Sequence, residues 1–387
     1  MATASNAMRL TTLLASRAGD RAFPVGQQAV VYGAGNTGAL VHRLLRRRGV
    51  PVRCFIDRRG GPAAELGGVP VYAPGTEPLD TDARRDAVAF VAVFNRDADV
   101  AAIHALLEAA GYGRVVGFVE LHNLFAGALP DMYWLTSRNF YASRSEEIRA
   151  GAARWRDAES RALYESVLSY RLTGDVSFAP HPGPGPQYFP VDVPRPAGPV
   201  RFVDCGAYTG DSVRVAAAQR DRLEVVCAFE PDPANFAELA RRASAEAPHA
   251  QVYLWPCGVA GETRQMRFSA TGGETGHLSE SGETVVQCVA LDEALAWFDA
   301  TDVKMDVEGA EPDALAGARA LIGRSRPRLA VCVYHRPDHL WSIAAAIDEM
   351  DLDYDLYLRA HGYGGFDLVA YAVPRDGSTP LPSQGRA

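Results

Sequence analysis

The feature that most constrains the fold is an alternation of short apolar runs with helix-forming segments, which occurs twice along the chain. Runs such as "AVVY", "VRCFI" and "VAFVAV" alternate with helical patterns over residues 28–125, and the alternation restarts at residue 201 with "RFVDC" and "EVVCAF". Strand-length apolar runs separated by helices favour parallel sheets covered by helices. The sequence therefore predicts an α/β protein with two doubly wound, Rossmann-like domains.

The domain boundaries follow from the breaks in this alternation. We place the first domain at residues 8–128 and the second at residues 199–375. Residues 129–198 are the predicted connector, helical at first and then rich in Pro and Gly, since the eight prolines between residues 177 and 200 exclude a helix or a central strand. Residues 376–387 are expected to form a disordered tail.

Charge and composition exclude several classes of partner. The 387 residues carry a formal net charge of −8, and the basic residues cluster nowhere beyond Arg46–Arg48, so we expect no nucleic-acid partner. The apolar runs are too short to span a bilayer, and no signal-peptide pattern opens the chain, so we expect no membrane partner and a cytoplasmic location. The six cysteines form no C-x-x-C pair, which predicts buried, reduced thiols.

The first glycine loop has the context of a nucleotide site. Gly33, Gly35 and Gly38 follow an apolar strand and precede a helix, and Asp57 ends the next strand about 20 residues beyond Gly35, where a ribose-binding acid is expected. A purely structural loop is the alternative. On "GAG", "FID" and "GGVPVY", this region resembles the N-terminal domains of sugar-nucleotide-modifying enzymes, which implies a nucleotide-sugar or scaffold role rather than hydride transfer.

The second glycine loop, "DCGAYTG", differs because an acid stands at its mouth. Asp204 ends the strand just before Gly206 and Gly210, where it would repel a pyrophosphate in a partly desolvated crevice. It suits a ligand with a cationic amino-acid end. Glu230 ends the next strand, where a carboxylate can accept both hydroxyls of a ribose. S-adenosylmethionine combines these two features.

Several further motifs occur in register with this loop: "VDCGAYTGDS", "FEPDPANF", "VALDEAL", "KMDVEGAEPDALAGA" and "RLAVCVYH". On these motifs, residues 201–374 resemble a class I methyltransferase of the FkbM family. The resemblance implies a seven-stranded sheet whose last strand is antiparallel, with S-adenosylmethionine at the carboxyl ends of the first strands. It assigns the methionine end of the cofactor to Asp204, Gly206, Thr209 and Gly210, the ribose to Glu230, and the adenine edge to the turn from Cys257 to Val259.

The catalytic candidates stand at the ends of two later strands. Asp306 ends the strand in "VKMD", on the expected acceptor side of the methyl group, and His335 closes the strand in "LAVCVYH". Either could be the base that an alcohol acceptor needs. Glu308 could orient substrate hydroxyls, bind a divalent cation with Asp306, or hold the loop, whereas Glu311 precedes a proline and is expected to start a helix. We assign no metal site from the sequence, and a divalent-metal requirement stays open.

The sequence thus predicts an S-adenosylmethionine-dependent O-methyltransferase that acts on a hydroxyl of a sugar, glycan or polyketide-type natural product intermediate. The expected partner is a small-molecule or glycosylated acceptor, and homo-oligomer formation stays open. One alternative is N-methylation of an amine of a secondary metabolite, which needs a base less. Another is a non-catalytic scaffold that binds nucleotide-sugars. A dehydrogenase that uses the first glycine loop would lack a recognisable catalytic set.

Overall fold

A computed structural model describes residues 12–14, 27–125, 127–195, 198–219, 223–269, 277–278 and 282–375. The predicted tail, residues 376–387, lies outside this set. Two compact units divide the chain. The first comprises Met1–Arg149, Ala162–Pro182 and Gly362–Phe366, and the second comprises Ala150–Arg161, Gly183–His361 and Asp367–Ala387.

The first unit contains a six-stranded sheet in the order β3-β4-β2-β1-β5-β6. Its strands are β1 (Ala29–Tyr32), β2 (Val52–Ile56), β3 (Glu65–Leu66), β4 (Val69–Tyr72), β5 (Val88–Val91) and β6 (Arg114–Gly117). All pairings are parallel except that of β3 with β4. The central strands β1 and β5 are almost entirely buried, as expected for parallel strands covered on both faces.

Seven helices lie among the described residues between positions 36 and 173. They are α1 (Asn36–Arg47), α2 (Thr81–Asp86), α3 (Val100–Ala109), α4 (Phe118–Leu124), α5 (Arg138–Ala142), α6 (Ser145–Ala152) and α7 (Ala158–Thr173), and residues Val176–Phe178 form a 3₁₀ turn. Helix α1 buries Val41, Leu44 and Leu45, whose spacing places them on one face. Asp80 and Asp99 cap α2 and α3 by accepting hydrogen bonds from backbone N–H groups of the first turn. Local capping and amphipathic spacing thus explain where these helices start and which face packs.

The second unit contains a seven-stranded and a four-stranded sheet. Its strands are β7 (Val200–Cys205), β8 (Leu223–Phe229), β9 (Gln251–Trp255), β10 (Gly258–Val259), β11 (Arg264–Ser269), β12 (His277–Leu278), β13 (Thr284–Val289), β14 (Asp302–Met305), β15 (Arg328–Cys332), β16 (Tyr354–Ala360) and β17 (Leu368–Pro374). Its helices are α8 (Asp211–Gln219), α9 (Pro233–Glu246), α10 (Leu291–Ala294), α11 (Glu311–Ala316), α12 (Arg319–Ser325) and α13 (His339–Asp348). A 3₁₀ turn at Tyr363–Gly365 belongs to the first unit.

The strand order of the large sheet is β16-β17-β15-β14-β7-β8-β9. Strands β9, β8, β7, β14 and β15 are parallel, and β17 is antiparallel to both of its neighbours. This arrangement confirms the predicted seven-stranded sheet with an antiparallel last strand. The carboxyl ends of β7, β8, β14 and β15 meet at one edge, where ligands bind in open α/β sheets.

Part of the segment before residue 199 packs against the far strand of this sheet. The guanidinium of Arg359, on β16, lies 2.7 Å from Asp157 and also contacts Asp192, and it donates to the Ser160 hydroxyl at 2.9 Å. A β-bridge joins Trp155 to Leu356. These contacts explain why residues 150–161 and the prolines after residue 183 belong to the second unit.

All six cysteines are free and buried, as predicted for reduced thiols. Among the residues described, no helix combines the length and the apolar character needed to cross a membrane.

Candidate active site

The pairing of β7 with β14 places Lys304 directly beside Asp204. The ammonium lies 3.0 Å from the Asp204 carboxylate and donates to the Gly206 carbonyl at 2.5 Å, while the Ser212 hydroxyl donates to Asp204 at 2.5 Å. Burial alone would lower the pKa of Lys304, but the carboxylate of Asp204 and those nearby raise it. Asp204 is fully buried. Its observed position, beneath the glycine loop, suits a role in ordering that loop.

The glycine loop itself needs glycine at two positions. Gly206 has φ = +81° and Gly210 has φ = +91°, in the left-handed region that disfavours side chains. A Cβ on Gly206 would lie 1.9 Å from the Asp306 carbonyl oxygen. Thr209, which is half-buried, lies between the two glycines. The loop after β7 therefore touches the end of β14, so the predicted donor and acceptor sides are adjacent.

Glu230 follows β8 and faces the same loop. Its carboxylate accepts hydrogen bonds from the backbone N–H groups of Tyr208 and Asp232, each at 2.8 Å. Burial raises the pKa of Glu230 to about 7, although these two hydrogen bonds oppose the shift. An ionised carboxylate has about four acceptor positions, so two bonds leave capacity for ligand hydroxyls. Asp232 caps α9, as its neighbouring proline suggests.

The predicted adenine-side turn follows β9. Cys257 and Val259 are both buried, and the Cys257 N–H donates to the Trp255 carbonyl at 2.8 Å. Burial raises the pKa of the Cys257 thiol to about 12, so it stays protonated. The Trp255 ring stacks on Phe229 with centroids 5.5 Å apart, a contact that the sequence analysis missed. The turn is thus held rigidly next to the strand that carries Glu230.

At the ends of β14 and β15, three carboxylates converge on one imidazole. His335 Nε2 lies 3.3 Å from Asp306 Oδ1 and 3.7 Å from Glu308 Oε1, and its Nδ1 lies 2.7 Å from Glu311 Oε1. Burial alone would lower the pKa of His335, but these carboxylates raise it to about 10. A ring that already carries its proton at neutral pH cannot accept another. The charge state favours a carboxylate over His335 as the base.

Glu311 is the first residue of α11, as expected, but it does more than start a helix. It is fully buried, accepts hydrogen bonds from the N–H groups of Val307 and Gly309, and lies 3.2 Å from His339 Nδ1. Burial opposes ionisation, yet the imidazoles of His335 and His339 hold the pKa of Glu311 well below its usual range. Glu311 therefore fixes both the imidazole and the loop after β14, and no local spacing signals this.

Tyr188 also reaches the cluster, and the sequence analysis did not predict it. Its hydroxyl donates to Asp306 Oδ2 at 2.6 Å, while its backbone has φ = +69°. Arg328, which is buried and paired with Asp302, donates to the Tyr188 carbonyl at 2.7 Å. Burial and the Asp306 charge raise the pKa of Tyr188, so it remains a hydrogen-bond donor. The short run "QYF", Gln187–Phe189, within the proline-rich segment is the sequence signal that could have identified it.

The first unit has a separate cavity of about 930 Å³ beside its glycine loop. Gly33, Gly35, Asp57, Arg58 and Arg59 are among the lining residues. Asp57 accepts from the Ala34 N–H at 2.9 Å and pairs with Arg59 at 3.1 Å; these bonds lower its pKa although burial opposes the shift.

The three glycines of this loop do not all face the cavity. Gly38 is not among the lining residues: a Cβ there would lie 2.1 Å from the Gly33 carbonyl oxygen, so Gly38 lets α1 pack closely against the loop. Gly33 has φ = +103° and also needs to be glycine.

Comparison with known proteins identifies the second unit. Residues 204–364 match the family model described as the methyltransferase FkbM domain. No curated protein matches the sequence. The crystal structure of methyltransferase FkbM from Methylobacillus flagellatus KT has a TM-score of 0.73 and 21% identity, covering 96% of this chain and 98% of that chain. The chain therefore has the same fold as the Methylobacillus flagellatus protein over 96% of its length.

Two other solved structures are much less similar. A precorrin-6y C5,15-methyltransferase from Geobacter metallireducens GS-15 has a TM-score of 0.29 and 11% identity over 46% of this chain and 80% of that chain. A fibrillarin from Aeropyrum pernix, solved with S-adenosyl-L-methionine, has a TM-score of 0.28 and 11% identity over 45% and 66%. Scores this low carry no conclusion. Residues 204–364 match the methyltransferase FkbM domain, and on this match the chain is a methyltransferase.

Proposed function

We propose that the chain transfers a methyl group from S-adenosylmethionine to a hydroxyl of a sugar, glycan or polyketide-type intermediate. The observation that carries this proposal is the contact between the glycine loop after β7 and the carboxylate-bearing end of β14. The Asp306 N–H donates to the carbonyl of Cys205, the last residue of β7, at 3.0 Å. Asp306 therefore lies beside the start of the glycine loop. A donor in the loop and an acceptor at the carboxylates would then be neighbours, which is what methyl transfer requires.

The residues of the loop fit the proposed cofactor. Glu230 has acceptor capacity for two ribose hydroxyls, and Gly206, Thr209 and Gly210 line the turn beside it. Asp204, which we assign to the methionine end, also supports the loop through its pairing with Lys304. When bound, S-adenosylmethionine supplies a methyl group on a positively charged sulfur.

The cluster at β14 and β15 supplies the groups that act on the acceptor. Asp306 and Glu308 are about one-fifth and one-quarter exposed at their side chains, so both can meet a substrate. We assign removal of the hydroxyl proton to these carboxylates, because His335 already holds its proton at neutral pH. An amine acceptor needs a base less than an alcohol does, so the presence of these carboxylates favours an alcohol acceptor.

Calorimetric titration with S-adenosylhomocysteine tests the cofactor assignment. We expect binding by the wild-type chain, weaker binding by Glu230→Ala, and unchanged binding by Asp306→Asn with reduced turnover. Glu238→Ala is the matched control, since it removes a surface acid on α9 that pairs with Arg241. Absence of binding at micromolar ligand would refute the proposal. Equal losses in the Glu230 and Asp306 variants would refute the division of roles.

Acceptor screening tests the reaction class. Mass spectrometry should detect methylated products from hydroxyl-bearing acceptors that lack an amine. If amine-bearing acceptors alone are methylated, and Asp306→Asn slows the reaction only slightly, N-methylation replaces the proposal.

We also propose that the cavity of the first unit binds a nucleotide or nucleotide-sugar. Asp57 offers a ribose acceptor, and the Arg58 and Arg59 side chains line the same cavity as the glycine loop, where they suit phosphates. Titration with nucleoside diphosphates and uridine diphosphate sugars should show binding that Arg58→Ala weakens. Failure of every such ligand to bind would leave the loop a purely structural one.

A further inference from the structure

Two buried polar atoms in the cluster at β14 and β15 face each other without a hydrogen-bond partner. They are His335 Nε2 and Asp306 Oδ1, which lie 3.3 Å apart. The His335 side chain is only 2% exposed. The two groups form an ion pair, but neither atom makes a hydrogen bond, and an unsatisfied buried polar atom costs about 1–3 kcal/mol, so a group that bonds to both atoms would be stabilised between them. The Glu308 carboxylate approaches the same nitrogen at 3.7 Å.

The imidazole is held as a metal-binding imidazole is held. Its other nitrogen, Nδ1, contacts the fully buried Glu311 carboxylate at 2.7 Å. Histidines that bind metals usually donate their second N–H to a carboxylate or carbonyl, which orients the ring and directs the remaining nitrogen at the ion. Glu311 does this for His335, and it points Nε2 at Asp306 and Glu308.

The loop that presents Glu308 adopts an unusual backbone. Glu308 has φ = +53° and Gly309 has φ = +98°. A non-glycine residue in the left-handed region costs about 1–3 kcal/mol and persists when its surroundings enforce it. Here the Glu311 carboxylate accepts from the N–H groups on both sides of Glu308, at Val307 and Gly309. This backbone conformation places the Glu308 carboxylate 3.7 Å from the His335 imidazole.

We propose that Asp306 Oδ1, Glu308 Oε1 and His335 Nε2 bind a divalent cation. The three ligand atoms lie within 4.8 Å of one another. Bonds of about 2.0–2.2 Å at right angles place ligand atoms about 3 Å apart, close to the observed separations. Two carboxylate oxygens and one imidazole nitrogen suit Mn²⁺ and similar ions of intermediate hardness.

Charge favours an ion at this position. Three carboxylates, from Asp306, Glu308 and Glu311, contact the His335 imidazole, and Glu311 also contacts that of His339, so three carboxylates face two imidazoles. The ammonium of Lys304, on β14, pairs with Asp204. A divalent cation would offset more of the negative charge than one imidazole does.

The cation site would give the enzyme a means of holding its acceptor. Its open positions would take one or two oxygens of a hydroxyl-bearing substrate and lower the pKa of a bound hydroxyl. This role rests on the proposed methyl transfer to a hydroxyl, whereas cation binding itself does not.

Electron paramagnetic resonance with Mn²⁺ tests the site directly on the full chain. We expect one bound Mn²⁺ per chain, with affinity reduced by more than about tenfold in Glu308→Gln and by about 10–100-fold in Glu311→Gln. Asp313→Asn, which changes an exposed acid on the same helix, should bind Mn²⁺ like the wild type. Circular dichroism would check that each variant is folded.

A second measurement needs no variant. Electron spin-echo modulation of the wild-type Mn²⁺ complex should show coupling to one imidazole ¹⁴N. Absence of stoichiometric Mn²⁺ binding, absence of nitrogen coupling, or equal affinity in Glu308→Gln and Asp313→Asn would each overturn the cation site. Titrating the same sample with S-adenosylhomocysteine separates the two proposals. Cofactor binding without Mn²⁺ binding would overturn the cation site alone, and the reverse would overturn the proposed cofactor alone.

Discussion

Cofactor affinity should depend on pH through Glu230. Burial raises the pKa of this carboxyl to about 7, so the free enzyme changes protonation state between pH 6 and pH 8. Ribose hydroxyls donate hydrogen bonds, and an ionised carboxylate accepts them better than a neutral carboxyl does. The binding-competent, ionised form is therefore about nine-tenths populated at pH 8 and is lost as the pH falls through 7.

The size of the effect follows from the same value. If the ionised form alone binds, the apparent Kd increases by the ratio of total to ionised enzyme, which is about 11 at pH 6 and about 1.1 at pH 8. Affinity should thus fall about tenfold, or about 1.4 kcal/mol, between pH 8 and pH 6. At pH 7, binding should release about half a proton per chain.

Calorimetry with S-adenosylhomocysteine measures both quantities, the second by comparing buffers of different ionisation enthalpy. Glu230→Gln removes the ionisable group but keeps the shape of the side chain, and it leaves the ionisable groups of the ligand unchanged. The Kd of this variant should be higher than that of the wild type but nearly constant from pH 6 to pH 8. Glu238→Gln, a surface change on α9, should keep the wild-type slope. A constant wild-type Kd from pH 6 to pH 8, or an unchanged slope in Glu230→Gln, would refute the reasoning.

Three further predictions concern the architecture of the site. Gly206→Ala should lower the free energy of unfolding, measured by urea denaturation, by more than about 3 kcal/mol, because the new Cβ would lie 1.9 Å from a backbone oxygen. Gly323→Ala is the control: its Cβ would meet open space, so the change should be neutral or stabilising. Lys304→Met should cost about 3–5 kcal/mol by leaving the Asp204 charge buried and unpaired, and adding Asp204→Asn should restore part of that loss; additive losses in the double variant would contradict the pairing. Tyr188→Phe should lower the free energy of unfolding by about 1–3 kcal/mol and reduce turnover without changing cofactor affinity, and a normal turnover would show that its hydroxyl is dispensable.

The fold was predictable because its signals are local and repeated. Apolar strands alternating with helices identify two parallel sheets, and the ends of parallel strands share one edge, which brings Asp306 and His335 together. The register between strands is not local. Lys304 could be assigned to a strand, but its partnership with Asp204 depends on how β14 pairs with β7. Asp204 was predicted to meet the cofactor from its place before the glycines, and the structure adds its pairing with Lys304.

The roles of Glu311 and Tyr188 could not be derived from spacing. An acid before a proline is fully explained by a helix start, so nothing local indicates that Glu311 also holds two imidazoles. Tyr188 lies 118 positions from Asp306 and follows a proline-rich stretch that has no regular structure. Contacts of this kind arise from tertiary packing, which a one-dimensional pattern does not encode.

The Tyr188 contact has a practical consequence for protein engineering. The residue lies ahead of position 204, where the match to the methyltransferase domain begins, and Asp157 and Ser160, which contact β16, lie further upstream. A chimera that grafted only residues 199–375 onto another scaffold would carry every recognisable motif and still lack the donor to Asp306. A graft that keeps these contacts should therefore include residues 150–161 and 183–195, and libraries of swapped domains should be cut upstream of them.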